Sequence, residues 1–253
     1  MQRIRFILAM GIIAVAGALH ASTFSFGTPA GATDINGTDP VAASAIFVVS
    51  GDKITLTLNN LEANPTEDAQ VLDALTFQLN GQNIGGTITH SMAVTEFIDV
   101  GGAGTFTPVT TNLPAWNLID TIVGSGTTVD FSFCNAKVTG MNCTSTGTSP
   151  LEGGIIGAPG PGNDYTNANS TIKGSAANPY IFEDIVFTMT MPGGTFNSTQ
   201  SSYTNLLFGY GDATGEYEAI AGGLAPEPSS FWMMTATLGV GLAALRYREK
   251  LRA

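Results

Sequence analysis

Two apolar runs joined by a two-residue turn constrain this chain most. SAIFVVS (residues 44–50) and KITLTLNNL (53–61) flank Gly51-Asp52, a short turn signal between two strand-like segments. In the second run Ile54, Leu56 and Leu58 fall on one side and Thr55 and Thr57 on the other. That period-2 pattern is what a half-buried strand needs, because successive side chains point to opposite faces of a sheet. A helix would scatter the same residues around its circumference.

Similar signals recur at 72–80, 86–94, 127–135, 181–191, 205–210 and 215–221. Residues 64–73 read as one short helical turn, with Pro65 at its start. Composition agrees, since only 11% of residues are charged and Gly reaches 31. Short polar residues in such numbers suit strands and turns better than helices. From Gly140 to Asn178 the texture changes to Gly, Pro, Asn, Ser and Thr, including APGPGND at 158–164, and irregular structure is expected there. No fixed-period repeat marks a solenoid or propeller. The expectation is a mainly β protein with a single β-sandwich domain of jelly-roll type over residues 22–225.

Charge is segregated along the chain. Arg3 and Arg5 open it, and Arg246, Arg248, Lys250 and Arg252 close it, which leaves Lys53, Lys137 and Lys173 for the middle. All acids except Glu227 and Glu249 lie between Asp34 and Glu218. A surface that acidic repels phosphate backbones, so no nucleic-acid partner is expected.

The bases at each end flank apolar runs. MQRIRFILAMGIIAVAGALHAS has the basic, apolar and small-residue zones of a secretory signal peptide over residues 1–21, with cleavage after Ala18 or Ala21. FWMMTATLGVGLAAL runs uncharged from Phe231 to Leu245 and the basic cluster follows at once. Fifteen residues at 1.5 Å each cover about 23 Å, against a bilayer core of about 30 Å. Ser229 or Ser230 can cap this helix, and snorkelling Arg246 and Arg248 extend its reach. The basic cluster is expected to stay cytoplasmic, so both ends give the body one topology, periplasmic. A buried C-terminal core helix is the alternative, and four bases directly after it argue against that.

Between body and apolar run stands Pro226-Glu227-Pro228. With Gly239 and Gly241 in the apolar segment and the bases from Arg246 to Arg252, the last 28 residues resemble the PEP-CTERM sorting signal, a region also labelled an ice-binding protein C-terminal domain. Tyr247 and Glu249 interrupt the bases, and Trp232, Met233 and Met234 follow Phe231, which makes the tail mildly atypical. The resemblance implies export in a Gram-negative type of bacterium and recognition by an exosortase, a membrane enzyme cutting near the motif. Residues 226–253 are then a sorting signal, with the inner membrane held through 231–245 until the body reaches the surface or an exopolysaccharide matrix. Pro226 and Pro228 favour an extended backbone, which suits a groove that reads main chain and one charge.

Candidate chemistry in the body is sparse. Cys134 and Cys143 form an even pair, which in an exported protein reads as a disulfide, with free thiols or a metal pair as alternatives. His90 is the one histidine outside residues 1–21, and its adjacency to Ser91 is no triad signal. Glu183-Asp184 and Glu216/Glu218 supply carboxylate pairs of the kind a glycosidase uses, while Trp116 is the single body tryptophan for sugar stacking. DINGTD (34–39) offers Asp34, Asn36 and Asp39 as hard oxygen ligands, but it departs from the calcium-loop spacing and reads better as an Asx-rich turn. Thr55-x-Thr57 and Thr188-x-Thr190 are isolated pairs in sequence, too few for a flat ice-binding array. No metal, cofactor or catalytic residue is assigned. The expectation is a non-enzymatic surface or matrix protein with a structural or adhesive role, the alternative being a carbohydrate-binding or glycan-hydrolysing module.

Overall fold

A computed structural model of the protein describes residues 21–34, 37–110, 116–124, 126–135, 141, 143, 152–175, 178–211 and 217–224. The expected leader up to residue 20 and the whole expected sorting tail, including Pro226, Glu227, Pro228, the apolar run from Phe231 to Leu245 and the basic cluster with Arg246, Arg248, Lys250 and Arg252, lie outside the described residues. No helix among the described residues is long and apolar enough to cross a membrane.

The chain is mainly β. Its strands are β1 Ser22–Gly27, β2 Ala43–Ser50, β3 Lys53–Asn60, β4 Leu72–Leu79, β5 Thr89–Val94, β6 Phe97–Val100, β7 Phe106–Val109 and β8 Asn117–Val123. There follow β9 Thr128–Cys134, β10 Ile155–Ile156, β11 Tyr180–Phe182, β12 Asp184–Thr190, β13 Tyr203–Gly211, β14 Tyr217–Ala221 and β15 Gly223–Leu224. The one-turn 3-10 segments are Asp68–Gln70, inside the expected helical turn at 64–73, and Gln200–Ser202.

The strands make a β-sandwich-like pair of sheets. The first has the order β15-β1-β2-β3-β12-β5. In the second, β14-β13-β4 leads to a fork, where β4 pairs β9 along residues 74–79 and β10 at Leu72. Beyond the fork lie β11, β6 and β7 on one branch and β8 beside β9 on the other. Pairing is antiparallel except between β10 and β11.

The alternating runs explain the first sheet. Gly51, at φ 61°, adopts the left-handed backbone that turns β2 into β3, and Ser50 then pairs Lys53. From that register Ala45, Phe47 and Val49 of β2 and Ile54, Leu56 and Leu58 of β3 all fall inward and are buried. Phe47 meets Phe77 of the facing sheet at 4.9 Å between ring centroids, and Phe187 of β12 meets Phe133 of β9 at the same distance. Such aromatic pairs add about 0.5–1.5 kcal/mol each beyond the area they bury.

Residues 181–191, expected as one strand, are two. Glu183 stands between β11 and β12 at φ 63°, a backbone region that non-glycine residues rarely adopt. Its N–H donates to Ile156 of β10 in the second sheet, while its C=O accepts from Asn60 of β3 in the first. The chain changes sheets there. Residues 140–178 are largely irregular where described, yet Tyr165, Ala168 and Ile172 bury themselves with Val71, Ile98, Val100, Ile156 and Tyr180 in a second core cluster.

Candidate functional site

The motif residues lie outside the described chain, but the place where the tail departs is fixed. β14 pairs β13 in the second sheet, and two residues later β15 pairs β1 in the first, Phe26 opposite Leu224 and Gly27 opposite Gly223. The crossing is made at Gly222, whose N–H donates to the Leu206 carbonyl at 2.8 Å. A Cβ at Gly222 would sit 2.2 Å from Leu206 Cδ2 and 3.0 Å from Phe208 Cε2, so a side chain there requires Leu206 to shift. Leu224, 65% exposed, is the last described residue. Beside it lies a depression of about 450 Å³ lined by Phe26, Gln200, Ser201, Tyr203, Gly222, Gly223 and Leu224. Because β1 starts at Ser22, the chain leaves the expected leader and enters the expected tail on one sheet edge.

Cys134 and Cys143 are joined in a disulfide with Cα atoms 5.8 Å apart, which settles the alternatives left by the sequence. The bridge is buried against Ala74, Met141 and Ala219 on the outer side of the second sheet. Next to it lies a depression of about 140 Å³ lined by Thr76, Gln78, Asp130, Ser132 and Asn205 together with Phe77, Phe131, Met141 and Leu207. Asn205, at φ 51° in a bulge of β13, donates to Gln78 Oε1 at 2.7 Å.

In DINGTD, Ile35 and Asn36 lie outside the described residues, and Asp34 gathers the backbone of 37–39. Asp34 Oδ1 accepts the N–H groups of Thr38 and Asp39, both at 3.0 Å, and the Asp34 carbonyl accepts Gly37 N–H at 2.8 Å. Thr66 Oγ1 donates to Asp39 Oδ1 at 3.2 Å. Glu67, from the neighbouring loop, brings a third carboxylate within 4.8 Å of those of Asp34 and Asp39, a neighbour no spacing in the sequence announced. Burial raises the Glu62 carboxyl above the usual range, and the charge of Asp39 adds to that shift.

The carboxylate pair at Glu183-Asp184 lies at the sheet crossing, beside a depression of about 220 Å³ lined also by Asn59, Asn60, Leu61 and Ala158. Asp184 accepts from Thr95 Oγ1 at 3.3 Å. No aromatic side chain is among these lining residues. Trp116 is not a sugar platform, because it is 2% exposed, donates Nε1–H to the Gly153 carbonyl at 3.0 Å and packs on Phe187. Glu216 lies outside the described residues, and Glu218 is described only by its backbone pairing with Tyr210.

His90 Nε2 lies 2.7 Å from Asp120 Oδ1, joining β5 to β8. Its ring meets Phe131 and Phe133 edge-on, and Ser91 takes the opposite face of β5 in register with Thr188. The threonine pairs are isolated in sequence but not in space, since Thr55 and Thr188 are direct cross-strand neighbours. Thr57 faces Val186 and Thr190 faces Lys53, so although Thr190 also faces Thr89 of β5, valine and lysine interrupt the array.

Asp73 is fully buried where β4 passes from β9 to β10. Asn135 donates its Nδ2–H to Asp73 Oδ1 at 3.1 Å and its N–H to the Asp73 carbonyl at 2.7 Å, while Oδ2 has no hydrogen-bond partner among the described residues. Burial drives this carboxyl well above the usual range, Asn135 works against that, and the charge of Asp68 adds to it.

The chain matches no protein-family model and no curated protein.

Proposed function

We propose that this is an exported surface or matrix-associated protein, delivered through its C-terminal Pro226-Glu227-Pro228 signal by an exosortase-like membrane enzyme. On this reading residues 1–21 are a leader, 231–245 span the inner membrane during sorting, and the body is a periplasmic jelly-roll-type sandwich before release. Its role there is structural or adhesive, with an exopolysaccharide matrix as the surrounding partner.

The observation that carries this reading is the tripartite tail, three parts in order within the last 28 residues. Three further observations support it. The Cys134–Cys143 disulfide belongs to an oxidising compartment. The body ends in β15 immediately before the motif, so the signal follows folded structure with no intervening domain. Bases stand outside both apolar ends while the body is acidic, which gives one consistent orientation.

Glu227 is assigned a pairing role with a basic residue of the sorting enzyme, since it is the one charge between the two prolines. The test is surface delivery in a host with an exosortase-like enzyme. Glu227→Gln is expected to impair delivery as deletion of 226–253 does, and delivery unchanged by Glu227→Gln while deletion abolishes it contradicts that role. A glycan array run beside a hydrolysis assay on the body tests the rest, and glycan turnover overturns the non-enzymatic reading.

A further inference from the structure

β1 is paired along its full length on one flank and along two residues on the other. β2 covers Ser22–Gly27, whereas β15 covers Phe26 and Gly27. Among the described residues nothing pairs the second flank at 22–25. An open flank of this kind presents a row of main-chain donors and acceptors ready to take an extended segment.

The direction of those groups follows from one hydrogen bond. Thr28 N–H donates to the Ala43 carbonyl of the β2 side at 3.1 Å. Alternation along an antiparallel strand then turns the backbone groups of Phe26 and Phe24 towards β2 as well. Gly27, Ser25 and Thr23 turn theirs to the other flank. In the β1–β15 ladder Gly27–Gly223 is therefore a hydrogen-bonded pair, and Phe26–Leu224 is a pair whose N–H groups point away from each other. Gly222 agrees, since its N–H points to Leu206 rather than to β1.

Continuing that register sets Ser25 opposite Ala225, Phe24 opposite Pro226, Thr23 opposite Glu227 and Ser22 opposite Pro228. Both prolines fall where no N–H is required, and Ala225 and Glu227, which have one, fall where it is. A strand carrying Pro at alternate residues can pair on one flank alone, and this is the flank it matches. The side chains agree too. Phe24 and Phe26 point inward, and Phe24 is only half-buried although it packs on Tyr203 at 5.5 Å. Pro226 would lie over Phe24 beside the depression at Leu224, while Glu227 would face outward next to Thr23.

We propose that the free flank of β1 at residues 22–25 is a docking site for residues 225–228 of this same chain, in register with β15. The motif is then held as an edge strand whose outer flank lacks donors at both prolines. A sorting enzyme has to peel it from Ser25 and Thr23 before reading it. That consequence rests on the sorting function proposed above, whereas the docking itself does not.

The test uses the full chain in detergent micelles with no sorting enzyme present. Thr23→Cys/Glu227→Cys places two thiols in register, at a Cα separation of about 5.5 Å that a disulfide spans. Thr23→Cys/Ala225→Cys is the out-of-register control. The in-register pair is expected to oxidise within one molecule about tenfold faster than the control. Hydrogen exchange over residues 22–27 is a second readout, expected to quicken when Ala225→Pro/Glu227→Pro removes both N–H donors. Equal oxidation of the two pairs, exchange unchanged by the prolines, or cross-links mainly between two molecules would each overturn the proposal. Because no enzyme takes part, failure here leaves the delivery result for Glu227→Gln untouched, and failure of delivery leaves this result untouched.

Discussion

His90 on β5 and Asp120 on β8 meet at 2.7 Å across the gap between the two sheets, and each of these strands is the last in its sheet on that side. Both side chains point inward on edge strands. Polar groups pointing inward from an edge strand make that edge a poor template for pairing with another molecule.

Asp120→Ala is therefore expected to destabilise the body by about 1–2 kcal/mol, since a partly buried hydrogen bond to a charged group is lost. A double-mutant cycle with His90→Ala in urea checks this. Coupling near zero would mean the contact is incidental.

The raised carboxyl of buried Asp73 predicts how stability changes with pH. Its folded pKa lies well above the unfolded value, so the folded state retains a proton that the unfolded state releases. Its contribution is intact below the unfolded value near 4 and falls as pH rises towards the folded value, at about 1.4 kcal/mol per unit. Asp73→Asn keeps the shape and removes the proton, and denaturation at several pH values should show a flatter profile with higher stability at neutral pH.

Reduction of Cys134–Cys143, or a double Cys→Ser change, should lower stability by about 2–3 kcal/mol, as loop-closure entropy predicts for a short loop. Chemical denaturation with and without reductant measures it. No change would mean that the bridge is incidental to the fold.

Gly222→Ala should cost about 1–3 kcal/mol, because its methyl group collides with Leu206 where the chain changes sheets. Thermal melting reports the loss, and exchange at β1 should quicken at Gly27, whose backbone groups face β15, and not at Phe26, whose groups face β2.

Strands that alternate cleanly were legible in the sequence. β2, β3, β4, β9 and β13 fall where residues such as Phe47, Leu56 and Phe131 recur at period 2. Strands of other character were not legible: β1 is rich in Ser and Phe, β8 alternates weakly, and β10 and β15 have two residues each. The sheet change at Glu183 was hidden because nothing in IFED marks a left-handed residue, and Asn or Gly would have signalled it. The disulfide was legible from pairing arithmetic and compartment. The Asp34, Asp39 and Glu67 cluster and the His90–Asp120 contact were not, because each joins segments that only the sheet order brings together. The proposed register of Pro226 and Pro228 on β1 draws on both the sequence and the β1–β15 pairing.

The most direct test of the sorting function is the intact mass of the protein recovered from the surface of cells that carry an exosortase-like enzyme. The account predicts a form lacking the leader up to Ala18 or Ala21 and ending near Pro226-Glu227-Pro228. Recovery with residues 231–253 still attached, or retention of the whole chain in the cytoplasm, would contradict it.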